Sequence, residues 1–223
     1  MEKLEKKLEY TFRNQALLQT ALTHSSYANE RKKAGVLCNE RLEFLGDSVL
    51  GMITAEYLFR NEPEMPEGVM TRLRSELVCE RSLAQVAREL GLGELMLLGR
   101  GEENGGGRTR PSIIADAVEA VLAAVYLDGG IEPVKKIVNK YIFSRAELIY
   151  EQTRDYKTEL QELLQRDGAQ DIAYKMVGET GPDHCKTFES AVLLNGEEIG
   201  RGAGRSKKEA EQSAAKSALG KMR

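Results

Sequence analysis

Two short stretches of this chain concentrate carboxylates among apolar residues. NERLEFLGDS (39–48) holds Glu40, Glu43 and Asp47, and IIADAVEAVLAAV (113–125) holds Asp116 and Glu119. At about 100° per residue, the first three fall within an arc of roughly 60° on a helix, opposite Leu42, Leu45, Val49, Met52 and Ile53. Alone, that pattern fits either the solvated face of an ordinary amphipathic helix or one wall of a site. The second stretch changes the weighing. Its helix is apolar nearly all round, which implies burial, and Asp116 and Glu119 stand at i and i+3 on a face shared with Ala120 and Ala123. A buried, unpaired carboxylate is strongly unfavourable, and no lysine or arginine lies within that helix. Facing the pair with Glu43 and Asp47 gives four carboxylates around a space for an ion. All-oxygen ligation suits a hard ion, Mg²⁺ with Mn²⁺ as substitute. Such clusters activate water and neutralise phosphoryl oxygens, the chemistry of phosphodiester hydrolysis. A di-iron carboxylate bundle would require Glu-x-x-His pairs, which are absent.

The elements that must position these groups are helical. NQALLQTALTH carries Leu17, Leu18 and Leu22 at helical spacing, and longer helices are predicted over 39–60, 69–90, 111–126 and 133–150. No alternating strand pattern interrupts 1–149. Gly46, inside a helix at a cost near ~1 kcal/mol, fits close backbone packing beside the carboxylates. Residues 99–112 read as a glycine-rich loop, with Pro111 opening the next helix. This loop lacks a GK[ST] motif and is no phosphate loop for nucleotides; its Arg108 and Arg110 are candidate phosphate contacts.

The pattern changes after residue 149. A polar linker is expected at 150–154, then a small α+β domain over 155–223 in the order α-β-β-β-α. Its first helix has Leu160, Leu163 and Leu164 on one face, and Asn195–Gly196 marks a hairpin between the second and third strands. Ser206 with Glu209 forms a capping box, so Lys207 and Lys208 occupy the first turn of the last helix. Cations there oppose the helix dipole, and a phosphate at the helix N-terminus would offset that. The run from Gly200 to Gly204 only faintly resembles a dinucleotide loop and lacks its spacing.

Composition sets the outer limits. The 223 residues carry a net charge of −3, yet residues 201–223 hold 7 Lys/Arg against 2 Asp/Glu. A basic end on an acidic body points to an anionic partner. Cys38, Cys79 and Cys185 form no CxxC pair and read as reduced thiols of a cytoplasmic protein. With two histidines, His24 and His184, a His-rich metal site is not expected. His24 and the cysteines read as packing residues. No membrane span, signal peptide or nucleotide cofactor is expected.

NERLEFLGDS, EGVMTRLRSELV (67–78) and GRGEENGGGRTRPSIIADAVEAVLAAVYLDGG (99–130) resemble the motifs of ribonuclease III, and the likeness covers essentially the whole chain. It implies an all-α endonuclease domain over 1–149 that forms a homodimer. It also implies Mg²⁺-dependent cleavage of double-stranded RNA to 5′-phosphate and 3′-hydroxyl ends with short 3′ overhangs, with precursor rRNA and mRNA as the usual substrates. Glu43, Asp47, Asp116 and Glu119 would be the metal-binding set, Asp47 and Glu119 the two most directly tied to chemistry. Glu40 and Glu67 match auxiliary acidic positions. Residues 155–223 resemble the double-stranded RNA-binding domain, which reads A-form shape across two minor grooves and the phosphates between them. That likeness places Thr158, Gln161, Glu162 and Gln165 in one minor groove, His184 in the other, and Lys207 and Lys208 on phosphates. Where the wider domain family often has a third lysine, this chain has Glu211. Phe44 projects about 40° from Glu40, on the acidic side of its helix, and the resemblance aims it into a cavity of a second subunit. Two competing readings are a double-stranded RNA-binding regulator that does not cut, and a metal hydrolase of small phosphoesters. Intact Asp47 and Glu119 argue against the first, and the RNA-binding module against the second.

Overall fold

The structure is a computed structural model that describes residues 1–31, 34–165, 168, 170–182 and 185–222, with Gln152 and Thr153 described in their backbone alone. It divides into two units, Met1–Gln152 and Thr153–Arg223.

The first unit is helical. The helices that matter for the site are α4 (Glu40–Asn61) and α9 (Pro111–Gly129). Around them run α1 (Glu2–Leu8), α2 (Gln15–Ala21), α3 (Ser25–Glu30), α5 (Glu67–Val78), α6 (Glu80–Leu90), α7 (Leu92–Leu95), α8 (Arg100–Asn104), α10 (Ile131–Tyr141) and α11 (Ala146–Thr153). As its composition requires, α9 is the hub of the core. Ile113, Ile114, Ala115, Ala117, Val118 and every residue from Ala120 to Val125 are buried. Proline at its first position costs no hydrogen bond there and pre-sets the helical φ.

Helices α4 and α9 touch through their backbones. A Cβ placed on Gly46 would sit 2.0 Å from the Glu119 carbonyl oxygen. Only a hydrogen fits in that space, so the glycine predicted to allow close approach is what lets the helices cross at the level of the carboxylates.

Three boundaries differ from the sequence reading. The single helix expected over 69–90 is two helices, broken at Cys79, whose ψ of 159° is extended. The glycine-rich stretch 99–112 contains a helical turn, α8, and a 3₁₀ turn at Gly107–Thr109. The helix expected over 133–150 is likewise divided by a 3₁₀ turn at Phe143–Arg145, and α11 continues through most of the stretch expected to be linker.

In the second unit, α12 (Tyr156–Gln165), the antiparallel strands β1 (Ile172–Thr180), β2 (Thr187–Leu194) and β3 (Glu197–Gly204), and α13 (Lys207–Met222) follow the expected α-β-β-β-α order. Asn195 and Gly196 both have positive φ, 51° and 89°, as a tight hairpin turn demands. The glycines of β3 have a packing purpose. Cβ atoms on Gly200, Gly202 and Gly204 would lie 2.6, 2.3 and 2.5 Å from atoms of α13, so alternate glycines bring the helix down onto the sheet. Tyr156, Leu160, Val192, Ala214, Ala215, Ala218 and Leu219 form the core of this unit.

The crossing makes a sharp prediction. Gly46→Ala must push apart two helix backbones and should destabilise the first unit by ~1–3 kcal/mol or more. Gly51→Ala lies on the same helix with nothing within 4 Å of its would-be Cβ, and should be neutral or stabilising by up to ~1 kcal/mol. Urea unfolding of both variants checks the contrast, and equal stability of the two would contradict it.

Candidate functional site

Because Gly46 seats α4 on α9 at Glu119, residues one turn away on each helix converge. Carboxylate oxygens of Glu43, Asp116 and Glu119 lie within 4.8 Å of one another, each residue partly buried. Asp47, the fourth of the expected set, is not one of that trio and is exposed. It stands near enough for its charge to act on both Glu119 and Glu43.

The electrostatics record the crowding. Burial pushes the Glu119 carboxyl up to about 8, and the charges of Asp47, Asp116 and Glu43 add to the shift. Burial raises Glu43 as well, reinforced by Asp116, Glu40 and Asp47. Asp116 is raised by burial and by Glu80, while His24 pulls the other way. Two carboxylates about 5 Å apart repel by ~3 kcal/mol at an effective dielectric constant of about 20. The cluster therefore holds protons or takes a cation. The donors are all carboxylate oxygens, which fits a hard divalent ion. Oxygens on one Mg²⁺ are at most about 4.2 Å apart at bond lengths of ~2.1 Å, a separation that small side-chain rotations reach from the one observed.

The other expected residues of this unit lie elsewhere. Glu40 is exposed at the start of α4, within 3.6 Å of the Cys38 thiol. Glu67 opens α5, where its carboxylate accepts from the Thr71 hydroxyl at 2.7 Å. It lines a cleft of about 490 Å³ together with Met52, Phe59, Met70 and Arg74, apart from the carboxylate trio. Phe44 is 79 % exposed, on the flank of α4 that carries Glu40 and Glu43. Arg108 and Arg110, candidates for phosphate, direct their donors into the protein. Arg108 Nη1 donates to the carbonyls of Gly93, Glu94 and Met96, and its Nε and Nη2 to Glu103. Arg110 pairs with Glu102 and donates to the Gly105 carbonyl. These contacts make Arg108 a clamp between α7 and the approach to α9.

His24, expected from the sequence to be a packing residue, and Glu80, which no sequence motif singled out, both act on Asp116. His24 caps α3, and Glu80 opens α6. THSS is readable as a helix start, but nothing local ties it to Asp116.

Residues 14–146 match the family model described as ribonuclease-III-like, and residues 156–222 that of the double-stranded RNA binding motif. A ribonuclease 3 from Pelotomaculum thermopropionicum is 52 % identical over 97 % of this chain and 90 % of its own length. The chain belongs to the ribonuclease III family. A second ribonuclease 3, from Anoxybacillus flavithermus, is 53 % identical over 95 % of the chain and 90 % of that protein. Among solved structures, the ribonuclease III nuclease domain of Campylobacter jejuni matches with a TM-score of 0.60 and 43 % identity, over 64 % of this chain and 96 % of that domain. Its description refers to a region involved in dimer formation. The protein is thus a double-strand-specific endoribonuclease with a helical nuclease unit and a double-stranded RNA-binding unit.

The ribonuclease III assignment gives meaning to the surface of the second unit. Thr158, Gln161, Glu162 and Gln165 are all exposed and form one stripe of α12, opposite buried Leu160. Lys207 and Lys208 are exposed in the first turn of α13. Half of the expected capping box is present. The Glu209 amide donates to the Ser206 hydroxyl at 3.2 Å, while the Glu209 carboxylate accepts from the Arg205 amide rather than from that of Ser206. Glu211 turns inward to pair with Lys157 at 2.6 Å, and that lysine also lies over the Tyr174 ring. His184 lies outside the described residues.

The raised Glu119 has a consequence for stability. Its folded value of about 8 exceeds its ordinary 4.5, so the folded state keeps a proton that the unfolded chain has released, and stability falls as pH rises across that interval. Glu119→Gln removes this loss. In chelator, its Tm should match the wild type near pH 4.5 and exceed it increasingly towards pH 8. A Tm difference independent of pH would show that Glu119 is not the raised group.

Proposed function

We propose that this ribonuclease III is a homodimeric enzyme of the cytoplasm. It cleaves duplex segments of precursor rRNA, mRNA and other structured RNAs with Mg²⁺, or Mn²⁺ in its place, and leaves 5′-phosphate and 3′-hydroxyl ends with short 3′ overhangs. The observation that carries the reading is the convergence of Glu43, Asp116 and Glu119 from two helices, with no lysine or arginine among the charges acting on them. A divalent ion held there lowers the pKa of its water and neutralises phosphoryl oxygens. The chain's own residues set the geometry. Glu43, Asp116 and Glu119 would hold the ion from the partly buried floor of the site. Asp47, exposed at the rim, stands where a phosphodiester enters from solvent. Water oxygen bonds to phosphorus while the bond to the 3′ oxygen breaks, and the proton that the water gives up ends on the departing oxygen as the 3′-hydroxyl.

The second unit supplies duplex selection rather than chemistry. The stripe of Thr158, Gln161, Glu162 and Gln165 offers polar side chains to a minor groove, and Lys207 and Lys208 offer charge to phosphates. A regulator that binds without cutting would have no use for a partly buried, mutually repelling carboxylate set. Among the described residues no helix is long and apolar enough to cross a membrane.

Dimerisation rests on exposed apolar side chains of α4. Phe44, Met52 and Phe59 are all exposed, and Met52 and Phe59 line the cleft that Glu67 borders. Phe44 of one copy fits such a cleft on another. A two-fold axis then relates two cutting sites in the way the strands of a duplex are related.

Incubating a long duplex RNA with and without Mg²⁺ and mapping the ends tests the proposal. Staggered cuts with 5′-phosphates are expected only with the ion; cutting in chelator, or of single strands alone, contradicts it. For the dimer, burying two Phe44 rings contributes roughly 3–6 kcal/mol. Phe44→Ala should therefore raise the dimer Kd roughly 10²- to 10⁴-fold in sedimentation equilibrium, and an unchanged Kd would remove Phe44 from the interface.

A further inference from the structure

The corner where α2, α3 and α4 meet lies against the carboxylate cluster. The Asn39 amide donates to the Thr23 carbonyl at 2.8 Å, and the Glu43 amide to the Asn39 carbonyl at 2.8 Å. His24, the next residue, is fixed from the other side by its own amide, which donates to the Leu97 carbonyl at 3.0 Å. It thus directly follows the residue bonded to Asn39, one helical turn before Glu43, and its ring stands within electrostatic reach of the Asp116 carboxyl.

The ring is committed to one tautomer. His24 Nδ1 accepts from the Ser26 amide at 3.2 Å, so it carries no proton. The Ser26 hydroxyl lies 2.8 Å from the same nitrogen and must donate to it, while accepting from the Gly99 amide at 2.9 Å. The neutral imidazole therefore has its proton on Nε2. Among the described residues Nε2 has no hydrogen-bond partner. The same corner holds a second unspent donor, Nδ2 of Asn39, in a residue only 2 % exposed. Capping α3 needs only Nδ1, and asparagine or serine does that better than histidine. The cap explains one nitrogen of the ring and leaves the other, which bears the proton, facing the question of what it serves.

We propose that His24 is a positioning residue of the carboxylate site, with its Nε2–H donated to the Asp116 carboxylate when that group ligates the ion. The Ser26–Gly99 chain fixes the tautomer, and the tautomer presents a donor rather than an acceptor to an anionic ligand. Ligating carboxylates are commonly held by such outer hydrogen bonds, whose removal weakens metal affinity 10- to 100-fold. This inference rests on the ion-site reading of the carboxylates proposed above.

Two substitutions separate the nitrogens. In His24→Asn, Oδ1 takes the place of Nδ1 and preserves the cap, but no atom reaches the Nε2 position. In His24→Gln, the terminal amide reaches the Nε2 position with N–H donors, but the cap is lost. Mn²⁺ binding to the full chain, titrated by electron paramagnetic resonance without RNA, is read beside Tm in chelator. The proposal expects His24→Asn to keep a Tm near the wild type yet bind Mn²⁺ roughly 10- to 100-fold more weakly. His24→Gln should lose some Tm and retain most of the affinity. Wild-type affinity in His24→Asn reduces His24 to a helix cap and overturns the proposal. Failure of His24→Gln to restore affinity overturns it too. Glu119→Gln is the control for the underlying reading. If it binds Mn²⁺ as the wild type does, or the wild type binds none, the ion site itself is wrong. If Glu119→Gln alone loses Mn²⁺, the ion site stands and only the role of His24 falls.

Discussion

The contact between the Gly46 α-carbon and the Glu119 carbonyl oxygen is the constraint on which the rest of this protein depends. A side chain at position 46 would force α4 away from α9, because its Cβ would sit only 2.0 Å from that oxygen. Glu43 on one helix would then move away from Asp116 and Glu119 on the other. The contact is favourable as packing and unfavourable as electrostatics, because it forces three partly buried carboxylates together. The buried apolar surface of α9 sustains the repulsion. A ligand that binds only this folded arrangement stabilises it in proportion to its own affinity, so ion binding and the integrity of the α4–α9 crossing are one linked equilibrium.

That linkage also explains the division of labour between the two units. In the nuclease unit the arginines just before α9 are committed to internal contacts, as Arg108 is with the carbonyls of Gly93, Glu94 and Met96. Duplex recognition needs a separate surface. The second unit provides it cheaply in structural terms. Three glycines of β3 let α13 pack close, and the polar stripe of α12 and the two lysines of α13 remain free of the core. Glu211, held by Lys157, contributes to the joint between α12 and α13 instead of to the basic surface.

Much of this is legible in the sequence because it is periodic. The apolar circumference of α9, the arc of acids on α4 and the alternation around Asn195–Gly196 each follow from helix or strand geometry. The break at Cys79 is less obvious, since no glycine or proline marks it. Continuing the stripe of Leu73 and Leu77 would bring Glu80 and Arg81 into the core, and the chain breaks instead so that Leu83, Ala84 and Ala87 are buried. The pairing of Lys157 with Glu211 and the proximity of His24 to Asp116 join residues far apart in the chain. Neither leaves a periodic trace. Asp47 shows the converse limit. Its spacing places it on the acidic arc, but spacing does not say that it stays at the rim while Glu43 reaches the trio.

The central claim is that α4 and α9 together build one ion site. Anomalous diffraction from crystals of the full chain grown with Mn²⁺ tests it most directly. The account predicts a peak at the α4–α9 crossing, within bonding distance of carboxylate oxygens from both helices, Glu43 on one and Asp116 and Glu119 on the other. A peak ligated from a single helix, or none at this crossing while Mn²⁺ occupies another part of the protein, would contradict it.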